Sequence, residues 1–318
     1  MSKNSSLRVA ISLLRLVPFL SCGGLVVFSG GAGAQIFVVN QGTGTIGKYA
    51  TSGATINASF ISGLSSPTGI AVSGDYLYVA QENGTIRKYT TAGTLVNAAL
   101  ITGLYLPLGL AVSGDFLYVA NGGGESSTIG KYTTAGATVN AALVTGLGNP
   151  TGLAVSGNDL YVTCWHTGNV GKYTIAGATI NAAFATGMLY PGGLTLDNSG
   201  YVYISSLYDG VRKYTTGGVL VNNPLIANSY NSAMGLAYDG NGHLLVANNY
   251  GGAGGNIIGE YTTTGAVVNA NFITGLKNPV AIAVVVPEPR PLVLALFGLG
   301  GLYWCGVSSR VRAGGASS

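Results

Sequence analysis

The sequence predicts an all-β fold made of six four-stranded repeats, and three observations support this. A Lys-Tyr step, replaced by Glu-Tyr in the last copy, recurs at spacings of 40, 43, 41, 41 and 47 residues, and a fixed period of this length indicates one repeated supersecondary unit. Apolar and polar residues alternate between turns rich in Gly, Asn, Asp and Ser, which is typical of strands. Each period has room for four short strands, the size of a propeller blade. The tyrosines of the step are Tyr49, Tyr89, Tyr132, Tyr173, Tyr214 and Tyr261.

Residues 107–145 show the order of elements within one repeat. The unit opens with Pro-x-Gly-Leu-Ala-Val (strand a), turns through Ser-Gly-Asp and continues as Leu-Tyr-Val-Ala-Asn (strand b). A second turn leads to Gly-Lys-Tyr (strand c), and a Thr/Ala/Val strand closed by Asn140 ends the unit (strand d). Strand a is predicted to begin at Pro67, Pro107, Pro150, Pro191, Ala233 and Pro279. Strand b is predicted to contain Phe37, Tyr78, Tyr118, Tyr161, Tyr203 and Leu245.

The two ends of the repeat region are offset. The first repeat begins at strand b, and the last element is a lone strand a, residues 279–286. We expect this strand to complete the first blade, because closure of a ring removes the two exposed sheet edges of an open array. The prediction is a six-bladed β-propeller over residues 35–286. An open β-solenoid is the alternative, but its rungs are usually shorter and it has no need of offset ends.

Residues 67–89, PTGIAVSGDYLYVAQENGTIRKY, resemble the NHL repeat, and the resemblance extends over residues 35–286. It implies an NHL-like propeller. Such propellers include enzymes, glycan binders, RNA binders and scaffolds, so the resemblance predicts a fold and leaves the function open.

Charge and cysteine content exclude several classes of function. The whole chain has a net charge of +4, but residues 35–286 contain eight Lys and Arg against nine Asp and Glu. A domain with a net charge near −1 lacks the concentrated basic face that nucleic acid requires. Of Cys22, Cys164 and Cys305, only Cys164 lies in the repeats, so the domain has neither an internal disulfide nor a metal site made of cysteines.

Residues 1–34 have the composition of a secretory signal peptide. Lys3 and Arg8 precede an apolar stretch at 16–28, and Ala32 and Ala34 supply the small residues of a cleavage site. Cleavage is expected before Gln35. A permanent anchor helix is the alternative, and either one predicts export from the cytoplasm.

Residues 287–318 form a tail of three parts. Pro287, Glu288 and Pro289 precede an apolar run at 292–307, which is followed by Arg310 and Arg312. The run is near the lower length limit for a membrane-spanning helix, and the arginines would face the cytoplasm. The tail resembles the PEP-CTERM sorting signal. That resemblance implies a Gram-negative bacterium that makes extracellular polysaccharide, transient insertion in the inner membrane, and cleavage by an exosortase. A plain C-terminal anchor is the alternative.

The titratable residues of the repeats give little sign of catalysis. Acidic residues recur in the turn between strands a and b, where they are expected to form turns. The lysines of strand c also recur, which indicates a structural role. Lactonase-type six-bladed propellers place metal ligands in the central channel, but strand a, of the Gly-Leu-Ala-Val type, has no carboxylate. We therefore predict neither a metal nor a cofactor. The turn residues are Asp75, Asp115, Asp159, Asp197 and Asp239.

Departures from the repeat mark the candidate binding face. In a four-stranded meander the b–c and d–a loops emerge on one face, and here they carry aromatic, amide and carboxylate side chains. This combination suits sugars, because rings stack on apolar sugar faces while polar groups bond to hydroxyls. The alternative is that these aromatics only cover the blades. The candidates are Glu82, Tyr105, Glu125, Trp165, His166, Tyr190, Tyr208, Tyr230, Asn249 and Tyr250.

The sequence therefore favours an exported, non-catalytic surface or matrix protein that binds polysaccharide or a protein partner. The rival interpretation is a secreted or periplasmic lyase or hydrolase that uses His166 with Glu125 or Glu82. His243 lies in an a–b turn on the opposite face, so the two histidines are not expected to cooperate. A structural coat component without a specific ligand is a third possibility.

Overall fold

A computed structural model describes residues 34–123, 127–227, 233–249 and 256–285. Within these ranges the chain forms six antiparallel sheets of four strands each. The sheets are arranged as blades, each running outward through strands a, b, c and d. The predicted six-bladed propeller is confirmed. The predicted signal peptide, except for Ala34, and the predicted C-terminal helix lie outside the described residues.

The a strands begin where the repeat pattern predicts, and each b strand contains the residue predicted for it. Asp159 and His243, which the pattern assigns to a–b turns, are instead the first residues of their b strands. The a strands are β4 (Pro67–Ser73), β8 (Pro107–Ser113), β12 (Pro150–Ser156), β16 (Pro191–Leu196), β20 (Ala233–Tyr238) and β24 (Pro279–Val285). The b strands are β1 (Gln35–Asn40), β5 (Tyr76–Gln81), β9 (Phe116–Asn121), β13 (Asp159–Cys164), β17 (Tyr201–Ser206) and β21 (His243–Asn248).

The outer two strands follow in the same order. The c strands are β2 (Thr45–Ala50), β6 (Thr85–Thr90), β10 (Thr128–Thr133), β14 (Asn169–Thr174), β18 (Gly210–Thr215) and β22 (Ile257–Thr262). The d strands are β3 (Thr55–Ile61), β7 (Leu95–Ile101), β11 (Thr138–Val144), β15 (Thr179–Ala185), β19 (Leu220–Ile226) and β23 (Val267–Ile273). A 3₁₀ turn, Gln41–Thr43, lies between β1 and β2.

The last strand closes the ring. β24 pairs antiparallel with β1, from Gln35 opposite Val285 to Asn40 opposite Pro279. Blade one is therefore made of β24, β1, β2 and β3, and blades two to six follow in chain order. This confirms the prediction that the lone strand a completes the first blade.

The hydrophobic core lies between adjacent blades. One cluster joins Tyr118 and Ile129 of blade three to Leu160 and Tyr173 of blade four, and all four side chains are buried. The innermost strands of neighbouring blades pack so closely that a Cβ atom at Gly69 would collide with the carbonyl oxygen of Leu108. Glycine at this position of strand a is therefore a packing requirement of the ring.

The recurring lysines of strand c join one blade to the next. Lys213 lies 4.0 Å from the ring centroid of Tyr201 and donates a hydrogen bond to the carbonyl of Thr263 in the following blade. The other lysines make the same bond to the following blade, which fits the structural role predicted for them. They are Lys48, Lys88, Lys131 and Lys172.

One boundary of the predicted repeat was wrong. Strand d of blade three runs through Asn140 and ends at Val144. The pairing of β11 with β10 shifts register beside Asn140, and the Oδ1 atom of Asn140 accepts the amide N–H of Ala142 at 3.0 Å. The asparagine therefore stabilises an irregularity inside the strand rather than ending it. No helix in the described part of the chain is long and apolar enough to cross a membrane.

Candidate functional site

Backbone hydrogen bonds join the b–c loops and the d–a loops on one face of the ring. In blade four, the N–H of Trp165 donates to the carbonyl of Asn149 at 2.9 Å. In blade five, the N–H of Leu207 donates to the carbonyl of Tyr190 at 3.1 Å. The loops are thus fixed to each other and form one surface, which we call the loop face.

A buried residue at the end of each b strand supports the loop face from below. In blade two, Gln81 accepts the N–H of Ser65 at 2.7 Å, and in blade five the hydroxyl of Ser206 donates to the carbonyl of Leu189 at 2.6 Å. Five of these six residues are polar, and three of them, Asn40, Gln81 and Ser206, bond to backbone groups of the d–a loops. The six are Asn40, Gln81, Asn121, Cys164, Ser206 and Asn248.

Three aromatic side chains come together where blades four and five meet. The ring centroid of Tyr190 lies 5.2 Å from that of Trp165 and 5.9 Å from that of Tyr208. These separations are those of interacting aromatic pairs. Tyr190 is 42% exposed and Tyr208 is 51% exposed, so the rings remain accessible to a ligand. We call Trp165, Tyr190 and Tyr208 the aromatic platform.

A carboxylate holds the loops beneath the aromatic platform. The Oδ2 atom of Asp209 accepts the N–H of Leu189 at 2.8 Å and the guanidinium of Arg212 at 3.1 Å. The same guanidinium donates to the carbonyl of Gly187. The sequence gives one weak signal for Arg212, which is that Arg replaces the more frequent Gly at this position of strand c.

The backbone of Tyr190 has the left-handed conformation, with φ of 56°. The residue before strand a has a positive φ in four other blades as well, at Ser66, Leu106, Asn149 and Asn278. Asparagine accepts this conformation more readily than tyrosine. The tyrosine is therefore not the residue that the turn itself favours, and its ring must be explained by packing or by binding.

The other candidates on the loop face lie apart from the aromatic platform. Glu82, in blade two, accepts a hydrogen bond from the side-chain amide of Gln41 at 2.8 Å. Tyr105 is 70% exposed and packs against Gly123, between blades two and three. His166 follows Trp165 in blade four and has an exposed side chain. Its backbone N–H donates to the carbonyl of Gly148.

Several predicted residues lie outside the described part of the chain. On the loop face these are Glu125, Tyr230 and Tyr250. In the tail they are the sorting motif Pro287, Glu288 and Pro289 and the arginines Arg310 and Arg312.

The central channel is a cavity of about 450 Å³. Asn249 and Gln41 are among the residues that line it, together with glycines, threonines and small apolar residues of the a strands. Among the described residues of this lining there is no Asp, Glu or His. Thr163 and Ser205 donate from beneath the a strands to the carbonyls of Gly192 and Met234, so these backbone groups are already satisfied.

Cys164 is buried below the loop face, and this gives a test of the fold. Burial raises the pKa of its thiol, against smaller opposing contributions from Gly148 and Thr167. Since the thiolate is the reactive form, we expect Cys164 of residues 35–285 to react with a disulfide reagent at pH 8 more than tenfold slower than in urea. Equal rates before and after unfolding would contradict the burial, and Cys164→Ser, which should not react, is the control.

Comparison with known proteins supports the repeat architecture. The model of the LVIVD repeat matches residues 61–86 and 108–125, which lie mainly in strands a and b of blades two and three. The repeat that matches is thus LVIVD, and the NHL resemblance continues to rest on the pattern of residues 67–89. No curated protein matches the sequence significantly.

Many solved structures share the fold. A chain from a nidogen/laminin complex superposes with a TM-score of 0.66 at 17% identity, covering 79% of this chain and 98% of that one. A streptogramin B lyase superposes with a TM-score of 0.55 at 23% identity, covering 68% of this chain and 72% of the lyase. A gluconolactonase from Xanthomonas campestris superposes with a TM-score of 0.57 at 16% identity, covering 67% of this chain and 78% of the gluconolactonase. These proteins differ in function, so the similarity shows a shared fold and does not select a function.

Proposed function

We propose that this protein is a non-catalytic binding protein that holds extracellular polysaccharide on the aromatic platform. The observation that carries the proposal is the convergence of Trp165, Tyr190 and Tyr208 from two adjacent blades onto one exposed surface. Aromatic faces of this kind stack on the apolar faces of sugar rings. Three rings in contact can stack on more than one sugar unit of a polysaccharide.

The charges near the aromatic platform favour a neutral polysaccharide. The guanidinium of Arg212 lies in the loops that carry the platform, and it already pairs with Asp209 and with the carbonyl of Gly187. An acidic polysaccharide would require a cation free to pair with it. The repeat region, near −1 overall, offers no long-range attraction for a polyanion either.

The termini supply the second half of the proposal, which is export. Residues 1–34 would direct secretion, and residues 287–318 would insert transiently in the inner membrane and be removed by an exosortase. Support comes from the order of motif, apolar run and arginines in the sequence. Export would place the loop face at the cell surface or in the extracellular matrix, where polysaccharide is found.

The exposed side chain of Leu189 favours a second candidate, a protein partner. Leu189 is 54% exposed and precedes Tyr190 in the same loop, so it enlarges the apolar surface beside the platform. Protein interfaces commonly centre on Trp and Tyr surrounded by apolar contacts. A partner protein would therefore use the same surface as the polysaccharide.

The experiment that tests the proposal is calorimetric titration of residues 35–286 with neutral and acidic extracellular polysaccharides. Saturable binding of a neutral polysaccharide, without release of shorter fragments, is the expected result. Absence of binding to every polysaccharide by the folded domain would overturn it in favour of a protein partner. Release of fragments would instead support the lyase or hydrolase, although blade three separates His166 in blade four from Glu82 in blade two.

A further inference from the structure

Three ligand-forming side chains converge on the face opposite the loop face. Asp239 follows β20, His243 begins β21, and Glu260 lies on β22 opposite Leu245. The Nδ1 atom of His243 lies 3.2 Å from Oδ2 of Asp239 and 3.4 Å from Oε1 of Glu260. All three ligand atoms lie within 4.8 Å of one another.

At this place blade six differs from the other five blades, which we call its sister blades, in the side chains of strands b and c. At the position of Glu260 the other five blades have lysine, which bonds to a carbonyl of the next blade. At the position of His243 blade five has Tyr201, which lies under the ammonium of Lys213. Blade six has thus lost a fixed cation and gained an imidazole and a carboxylate at the same place.

Blade four provides an internal comparison. Asp159 stands where blade six has His243, and Lys172 pairs with it at 2.8 Å. In blade six, by contrast, neither Asp239 nor Glu260 has a Lys or Arg at ion-pair distance among the described residues. The two carboxylates therefore lack the cation that the sister blades provide.

A proton on His243 does not by itself satisfy this arrangement. Both carboxylate oxygens approach the same nitrogen, Nδ1, which has at most one hydrogen to donate. The other oxygen of Asp239, Oδ1, accepts the N–H groups of Asn241 and His243 at 2.7 and 2.9 Å, which fixes the carboxylate with Oδ2 facing the imidazole. Two carboxylate oxygens, of which that of Asp239 is held in place, therefore face one nitrogen, and a cation can lie between the three atoms.

The two separations from Nδ1 of His243 are close to those between ligands of a small metal ion. Ligands bound to Zn²⁺ at roughly 2.0–2.1 Å in tetrahedral geometry lie about 3.3–3.5 Å apart, and the two distances to Nδ1 are 3.2 and 3.4 Å. An imidazole with two carboxylates suits first-row divalent ions, whereas Ca²⁺ and Mg²⁺ take sets of oxygen ligands. The side chain of His243 is 35% exposed and those of Asp239 and Glu260 are 13% exposed, so an ion can enter from solvent.

We propose that Asp239, His243 and Glu260 bind one first-row divalent cation of the Zn²⁺ class, with water completing its coordination. The ion takes the place of the lysine ammonium of the sister blades and ties strands b and c of blade six to the turn that precedes them. It lies on the opposite face from the aromatic platform, so it stabilises the ring without contacting the ligand bound there.

Titration of the purified full-length protein with Zn²⁺, after removal of metals by a chelator, tests this site. We expect one equivalent to bind and the unfolding temperature to rise by about 5–10 °C at a Zn²⁺ concentration 100 times Kd. Glu260→Gln should weaken binding at least about tenfold, since even residues that only support ligands have effects of that size. Ca²⁺ and Mg²⁺ at the same concentration should leave the unfolding temperature unchanged.

The sister blades supply a matched variant. His243→Tyr combined with Glu260→Lys gives blade six the Tyr201 and Lys213 pair of blade five, so it should fold and lose the response to Zn²⁺. His166→Ala removes the other histidine and should leave the response intact. Zn²⁺ binding that survives in the double variant, or that disappears in His166→Ala, would overturn the assignment. Failure of Zn²⁺ to bind the wild-type protein would overturn it as well.

Discussion

A chain that ends at Asn278 is expected to lose the closed ring and with it cooperative unfolding. The truncation removes β24, which supplies the innermost strand of blade one and pairs with β1 along its whole length. Ile282 packs with Ile36 and Val38 in one core cluster, and Ala283 packs with Phe37 in another. The cut therefore opens two interfaces between blades and exposes an edge of β1.

The expected size of the effect follows from burial. Each fully buried Val, Leu or Ile contributes roughly 1.5–3 kcal/mol, and β24 contributes the buried Ile282 and Ala283 and four partly buried apolar side chains to the two clusters. Native proteins are stable by only about 5–15 kcal/mol in total. Loss of one strand therefore removes much of the stability of the domain, and the exposed edge should also promote aggregation.

The measurement is thermal unfolding by circular dichroism, with size-exclusion chromatography of the same samples. The matched control is a chain that ends at Val285, which retains β24 and should unfold in one cooperative transition. A synthetic peptide of residues 279–285 should partly restore folding to the shorter chain by adding the missing strand. If both truncated chains unfold at the same temperature, closure by β24 contributes little and this explanation of the fold is wrong.

The repeat pattern was enough to predict the ring because the same physical requirement recurs in every blade. Proline at the start of strand a, glycine where adjacent a strands pack, and the Lys-Tyr step of strand c each recur at a constant position in five of the six blades. Asn140 was misread because a bulge inside a strand and the end of a strand both select asparagine. The pattern alone does not distinguish these two uses.

The candidate sites were less predictable, because they depend on which loops become neighbours. The sequence indicated that Trp165, Tyr190 and Tyr208 share a face with seven other candidates, but only the three-dimensional arrangement shows these three in contact. The sequence pattern assigned Asp239 and His243 to the turn between strands a and b, and it assigned the Glu-Tyr step that contains Glu260 to strand c. Turn-forming aspartates recur, so Asp239 gave no signal until strand pairing placed Glu260 beside His243.

Removal of a ring from the aromatic platform is expected to weaken polysaccharide binding strongly while the fold is preserved. The sister blades show which replacements the loops accept. Gln41 stands in blade one where Trp165 stands in blade four, since both donate their N–H to the residue before strand a. Asn149 and Asn278 stand where Tyr190 stands and share its positive φ. Trp165→Gln and Tyr190→Asn are therefore substitutions that this chain already uses.

Each substitution should weaken binding by about 2 kcal/mol, or about 30-fold, which is the typical effect of removing a central aromatic residue. The unfolding temperature of Tyr190→Asn should stay the same or rise slightly, because asparagine tolerates the left-handed backbone better than tyrosine. The measurements are calorimetric titration with the polysaccharide that the wild-type domain binds, and thermal unfolding of each variant.

Tyr105→Ser is the matched control for loss of an exposed aromatic ring. Ser65 stands at the same position, two residues before strand a, so the loop should accept serine. Because Tyr105 lies between blades two and three, its loss should leave the affinity unchanged. An equal loss of affinity in Tyr105→Ser would indicate that the whole loop face binds nonspecifically. Full affinity in both platform variants would place the polysaccharide elsewhere on the ring, since contact with these rings is the physical basis of the proposal.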